Sequence, residues 1–140
     1  EANEGWIINL SSGSKRHPSG PPYDLRGVKG VYGFYGATKA MLDRLTTALA
    51  SELADKRIRF NTVEPKAAVL SEGADAVVGD MLTSSQIESM EAMVESILFL
   101  AHCKPEHTGR NEISLDVIDQ QNLTVMDLEG HAPHLGGKAS

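Results

Sequence analysis

The spacing of apolar residues changes repeatedly along this chain, and each change predicts a new element. Trp6-Ile7-Ile8-Asn9-Leu10 is a short apolar run, the pattern of a strand buried on both faces of a parallel sheet. Gly13 to Gly33 has neither a helical nor a strand period, and its Pro18, Pro21, Pro22 and glycines predict a long loop. From Gly36 to about Lys56, Ala37, Met41, Leu45, Ala48, Leu49 and Leu53 predict a helix with one apolar face, Asp43, Arg44 and Glu52 lying opposite. Ile58–Val63 predicts the next strand, and residues 64–83 are irregular. Ser85-Gln86-Ile87-Glu88 reads as a capping box opening a second helix, with Ile87, Met90, Val94, Ile97, Leu98 and Ala101 on its apolar face. Alternating Ile113, Leu115 and Val117 predict a last strand over Asn111–Ile118. Strands alternating with helices predict an α/β fold with mainly parallel pairing.

The candidate chemistry lies around the start of the first helix. Tyr35 and Lys39 are four positions apart, so they share one helix face about a turn from each other. A free phenol titrates near pKa ~10 and is a poor proton acceptor at neutral pH. A neighbouring ammonium favours the phenolate and makes such a group usable in acid/base work. A serine hydroxyl at the end of the first strand, Ser11 or Ser12, could hold a substrate oxygen beside it. A Tyr-x-x-x-Lys spacing alone is a weak signal. Set between a strand ending Asn-Leu-Ser-Ser and a long amphipathic helix, it is a strong one.

These landmarks, with Ile58-Arg-Phe-Asn-Thr-Val-Glu-Pro65 and Thr108-Gly109, resemble the second half of the short-chain dehydrogenase/reductase family, from Gly5 to about Asp119. The resemblance implies a partial Rossmann-like, doubly wound parallel sheet whose N-terminal cofactor-binding βαβ units are missing. Residues 1–119 would be the C-terminal half of one domain and 120–140 a polar, flexible tail. It implies an oxidoreductase that uses NAD or NADP to interconvert a secondary alcohol and a ketone or aldehyde, inactive as this half alone. Ser12, favoured over a Ser11 turned into the sheet, would hydrogen-bond the reacting oxygen, Tyr35 would exchange its proton, and Lys39 would support Tyr35 and bind the nicotinamide ribose. Pro65 and the backbone of Ala68 would meet the nicotinamide carboxamide. Two residues depart from the family pattern there: Lys66 replaces the usual Gly, and Leu70 stands where a Thr is common. The piece Ser19–Asp24 lengthens the loop after Ser12 and is expected either to cover the substrate cleft or to lie on the surface without touching it. The family's common dimer buries the Tyr35-bearing helix, so a homo-oligomer, or pairing with the missing half, is expected. The rival reading is a non-catalytic interaction module derived from the same fold.

Composition narrows the partners. A net charge of −6 without clustered cations argues against nucleic acid, and Lys15-Arg16-His17 is expected to be a solvated loop. A small-molecule alcohol or carbonyl compound is the expected substrate. Cys103 is the single cysteine, which excludes an internal disulfide and fits a reducing, cytoplasmic setting. No apolar run approaches the ~20 residues that span a bilayer. His131 and His134 lie in a Gly/Pro-rich stretch without partner ligands, so no metal is expected. Glu88, Glu91 and Glu95 read as the solvated face of the second helix.

Overall fold

The computed structural model describes residues 4–17, 19–22, 31–72 and 82–134. Three strands form one parallel sheet in the order β1-β2-β3: β1 is Gly5–Leu10, β2 is Ile58–Glu64 and β3 is Asn111–Ile113. β1 and β2 pair from Gly5 opposite Ile58 to Leu10 opposite Val63, and β2 and β3 from Thr62 opposite Asn111 to Glu64 opposite Ile113. The sheet thus contains one central strand, and only that strand is buried on both faces. Every residue from Arg59 to Glu64 is buried, whereas Ile7 and Leu10 of β1 are 42% and 51% exposed. The expectation that β1 is buried on both faces is corrected, because among the described residues β1 lies at the edge of the sheet.

Helix α1 spans Val31–Glu52, starting five residues ahead of its expected boundary. Its rotation is the larger surprise. Gly36, Asp43, Thr46 and Ala50 face inward, while Phe34, Met41 and Leu45 are 80%, 68% and 52% exposed. The apolar stripe expected to pack on the sheet looks outward. The sheet side is held by polar contacts instead: Asn9 Nδ2 donates to Thr46 Oγ1 at 2.9 Å, and Thr46 donates to the Leu42 carbonyl at 2.8 Å. Arg57 then takes the left-handed conformation (φ 55°) that turns the chain into β2.

Helix α2 covers Met90–Leu100 on the opposite face of the sheet, where Val63, Met93 and Leu100 form a buried cluster with Ile8, Ile97 and Phe99 against it. It opens at Ser89, whose hydroxyl accepts from the Ala92 amide at 3.1 Å. The expected box at Ser85–Glu88 is therefore corrected. A reciprocal Thr83/Gln86 box caps a short 3-10 turn at Ser84–Gln86 one step earlier, because Glu88 is drawn inward and cannot cap.

The last predicted strand also stops early. After Ile113 the chain becomes α3, Ser114–Gln121, with Ser114, Leu115, Val117 and Ile118 buried. The alternation through Val117 was misleading because Leu115 and Ile118, three apart, must both reach Ala92 and Val125 in a second apolar cluster. Val125 also shows that the expected flexible tail begins too early. Residues 123–134 fold back, with a bridge between Met126 and Pro133 and the His134 amide donating to the Val125 carbonyl at 2.8 Å. The Asp127 carboxylate accepts from the amides of His131 (2.8 Å) and Ala132 (3.1 Å), which hold it below the usual carboxylate pKa.

Behind the N-terminal ends of the strands lies a polar cluster. Arg59 is stacked on Trp6 at 4.9 Å, Trp6 donates to the Cys103 carbonyl at 3.1 Å, and His107 meets Phe99 edge-on at 5.4 Å. Burial raises the Cys103 thiol pKa, which suits a packing residue. Burial, aided by the Arg110 charge, lowers the His107 pKa despite Glu112 Oε1 at 3.0 Å. The unfolded chain therefore binds a proton, between that depressed value and about 6.5, that the native chain does not. Stability from this site is complete above about 6.5 and falls as pH drops through that window. His107→Gln is expected to flatten the fall in melting temperature between neutral pH and pH ~5. An unchanged slope would show that His107 titrates normally.

Candidate active site

Two elements meet at the C-terminal end of β1. One is the turn Ser11–Arg16, containing the 3-10 segment Gly13–Lys15; the other is the N-terminal part of α1. Their approach depends on Gly36. A Cβ there would lie 2.4 Å from the Ser14 carbonyl oxygen, so only glycine lets the turn rest on the helix. The residue beside it is Tyr35. Lys39 donates from Nζ to the Leu10 carbonyl at 2.6 Å, and its ammonium lies 5.6 Å from the centre of the Tyr35 ring. Ser12 is half-buried, and its Oγ accepts from the Ser14 amide (3.3 Å) and hydroxyl (3.0 Å). Ser11 is buried, and its Oγ has no hydrogen-bond partner among the described residues. Ser12, Tyr35 and Lys39 thus belong to two abutting elements, with Tyr35 42% exposed to a substrate's approach.

The turn is not the solvated loop expected of Lys15-Arg16-His17. Lys15 Nζ lies 2.7 Å from Glu64 Oε2 and also pairs with Asp43, while Arg16 pairs with Glu64 Oε1. Glu64 and Asp43 are buried, so the cations answer carboxylates that would otherwise stand unpaired in the interior. Asp43 was expected on the polar, outer face of α1. Neither carboxylate was among the expected site residues, because in a strand that already carries Arg59, Asn61 and Thr62 a further polar residue gives no signal.

The segment after β2 is drawn toward the start of α2. The Ala68 amide donates to the Gln86 carbonyl at 2.8 Å, and the Ala68 carbonyl accepts from the Glu88 amide at 2.9 Å. Glu88 is buried, correcting its expected place on a solvated face. Its carboxylate accepts from the amides of Lys66 (2.7 Å) and Ala67 (3.2 Å) and from the Ser114 hydroxyl. No sequence signal marked it, since it follows the predicted helix period. Lys66 holds Asp116 at 2.7 Å and does not adopt positive φ, so a side chain is tolerated where glycine was expected. Pro65 is half-buried beside it.

Residues 3–101 match a family model described as enoyl-(acyl carrier protein) reductase. The chain belongs to the short-chain dehydrogenase/reductase family. Solved structures of that fold are similar to it over most of its length. A short-chain dehydrogenase of Mycobacterium thermoresistibile is 20% identical, with TM-score 0.65, over 99% of this chain and 47% of its own. A structure described as an NAD(P)-dependent gluconate 5-dehydrogenase of Beutenbergia cavernae, with NADP at low occupancy, is 23% identical with TM-score 0.61, covering 80% of this chain and 45% of its own. An NADH-dependent reductase of alginate metabolism is 20% identical with TM-score 0.55, covering 77% of this chain and 39% of its own. The chain therefore spans less than half the length of these relatives. Among curated proteins none matches it. The fold is a partial Rossmann-like sheet of this family, and Ser12, Tyr35 and Lys39 occupy the strand end and helix that meet in it. The family-based assignment for Ala68 fits less well, because its N–H is already engaged within the chain. Among the described residues no group of His, Cys, Asp and Glu could hold a metal, and no helix is long and apolar enough to cross a membrane.

Proposed function

We propose that this chain carries the catalytic residues of an NAD(P)-dependent oxidoreductase that interconverts a secondary alcohol and a ketone or aldehyde. The docking of the Ser12 turn on α1 at Gly36, with Lys39 tied to the end of β1 beside Tyr35, carries the reading. In reduction, Ser12 holds the carbonyl oxygen and the Tyr35 hydroxyl gives it a proton; in oxidation, Ser12 holds the alcohol oxygen and Tyr35 takes its proton. Lys39 places a cation beside the phenol and is the group of this chain that would reach the cofactor ribose. The cofactor, when bound, supplies or accepts the hydride at the substrate carbon. By the family resemblance, Pro65 and the backbone of Ala68 would meet the carboxamide, and the Ala68 amide would first have to release the Gln86 carbonyl. Because the relatives are twice as long, the chain is expected to turn over only when assembled with a cofactor-binding half.

The test is loss of reduced-nicotinamide absorbance by that assembly, with NADH and NADPH, against ketones, aldehydes and an enoyl thioester. The thioester belongs in the panel because of the description of the matching family model. Carbonyl reduction abolished by Ser12→Ala supports the reading. Reduction of the enoyl thioester alone would replace the alcohol/ketone assignment, and no turnover with either cofactor would overturn the enzyme reading.

One observation favours the module reading as well. The outward stripe of α1 leaves Phe34, Met41 and Leu45 exposed, beside a groove lined by Thr38, Lys39, Met41, Leu42 and Leu45. A contiguous apolar face of this kind is expected to bury itself against another subunit. Sedimentation of the chain should show self-association, and Met41→Lys with Leu45→Lys should shift it to monomer. A wild-type monomer at tens of micromolar would discard the interface.

A further inference from the structure

Ser12 stands on a turn that is held by charge, and the holder is on the neighbouring strand. Glu64 is 1% exposed at the end of β2, on the sheet face covered by α1. Among the described residues, its ion pairs run to the two residues that close the Ser12 turn: Lys15 at 2.7 Å, and Arg16. Lys15 also pairs with Asp43 on α1, two turns beyond Tyr35. One ammonium thus links the turn of Ser12, the strand of Glu64 and the helix of Tyr35. A carboxylate in the central strand costs several kcal/mol in desolvation, and a hydrophobic residue of similar volume there is often equally stable or more so. Fold stability therefore gives little reason for Glu64, whereas the geometry of the turn does. Among the described residues, the Ser11 amide anchors the start of the turn to Val63 O at 2.8 Å, but beyond it the backbone bonds are local: the Lys15 amide to Ser12 O at 3.2 Å, and the Arg16 amide to Gly13 O at 3.1 Å.

Building on the relay reading above, we propose that Glu64 is a positioning residue: through Lys15 and Arg16 it fixes the Ser12 hydroxyl relative to Tyr35. It touches neither substrate nor cofactor. A misplacement of about 1 Å at a reacting centre can cost on the order of 10²-fold in rate. Losing the tether should therefore appear in kcat rather than in cofactor affinity.

The experiment pairs a structural with a kinetic readout in the holoenzyme, this chain assembled with its cofactor-binding half. Glu64→Gln is expected to speed amide exchange at residues 14–16 about tenfold, and to lower kcat roughly ten- to hundredfold with KM for the cofactor unchanged. Lys15→Met, on the turn itself, should reproduce both effects and carries the test where Glu64→Gln does not fold. The double variant should be no worse than either single one, and Glu64→Asp should recover part of kcat. Unchanged exchange in both single variants would overturn the tether. Faster exchange with undiminished kcat, while Ser12→Ala abolishes turnover, would overturn the positioning role and leave only a structural clamp. If Ser12→Ala and Tyr35→Phe both leave turnover intact, the relay itself is wrong and the positioning role falls with it; the exchange result then reports the tether alone.

Discussion

Replacing Tyr35 by Phe is expected to lower turnover of the assembled enzyme by roughly 10²–10⁴-fold, the usual range for loss of a positioned acid/base group. The change removes one oxygen and nothing else that the fold uses. Tyr35 is 42% exposed, and its backbone carbonyl, which accepts from Thr38 Oγ1 at 2.7 Å, is unaffected. The Lys39 ammonium keeps a ring beside it at about the present 5.6 Å. Melting temperature and cofactor KM should accordingly stay close to wild type. Initial rates with saturating cofactor, and a thermal melt of the same preparation, check both halves. Activity within tenfold of wild type would remove Tyr35 from the chemistry.

Gly36→Ala should be the most damaging conservative change in the site. Helix propensity alone favours Ala over Gly by about 1 kcal/mol in a helix interior. Against this, a methyl group at position 36 would sit 2.4 Å from the Ser14 carbonyl oxygen, a backbone atom that cannot rotate aside. Overpacking of this kind typically costs about 1–3 kcal/mol. The overlap exceeds what side-chain adjustment absorbs, so the whole Ser12 turn must lift from α1. The expected result is a lower melting temperature despite the better helix former, and a loss of turnover of on the order of 10²-fold through displacement of Ser12. A variant more stable than wild type and fully active would mean that the turn does not rest on the helix.

Much of the candidate site was legible because its signals are local. The Tyr35–Lys39 spacing needs only a helix to place both residues on one face, and the strand ending in Ser11-Ser12 needs only the next loop. The hidden parts depend on distant partners. Glu64, Asp43 and Glu88 look solvent-bound in the sequence, yet each is buried because donors from another element reach it: Lys15 and Arg16, Lys15 again, and the amides of Lys66 and Ala67. The Ala68 backbone is engaged by residues 86 and 88, a pairing that no nearby residue announces. Of the Ser19–Asp24 piece, residues 23 and 24 lie outside the described residues, as do residues 73–81 of the irregular stretch 64–83.

The sequence by itself determined the α/β class, the parallel order of β1 and β2, and the presence of α1, with each end misplaced by four or five residues. Period and punctuation are properties of consecutive residues, and they survive whatever packs around them. Only the tertiary structure decided which way those elements face. The apolar stripe of α1 looks outward because Asn9–Thr46 and Lys15–Asp43 claim its inner side. Residues 114–121 became helix because Leu115 and Ile118 share one cluster with Ala92 and Val125. Burial on both faces fell to β2 alone because a sheet's middle strand is chosen by its neighbours, and its own residues do not name them.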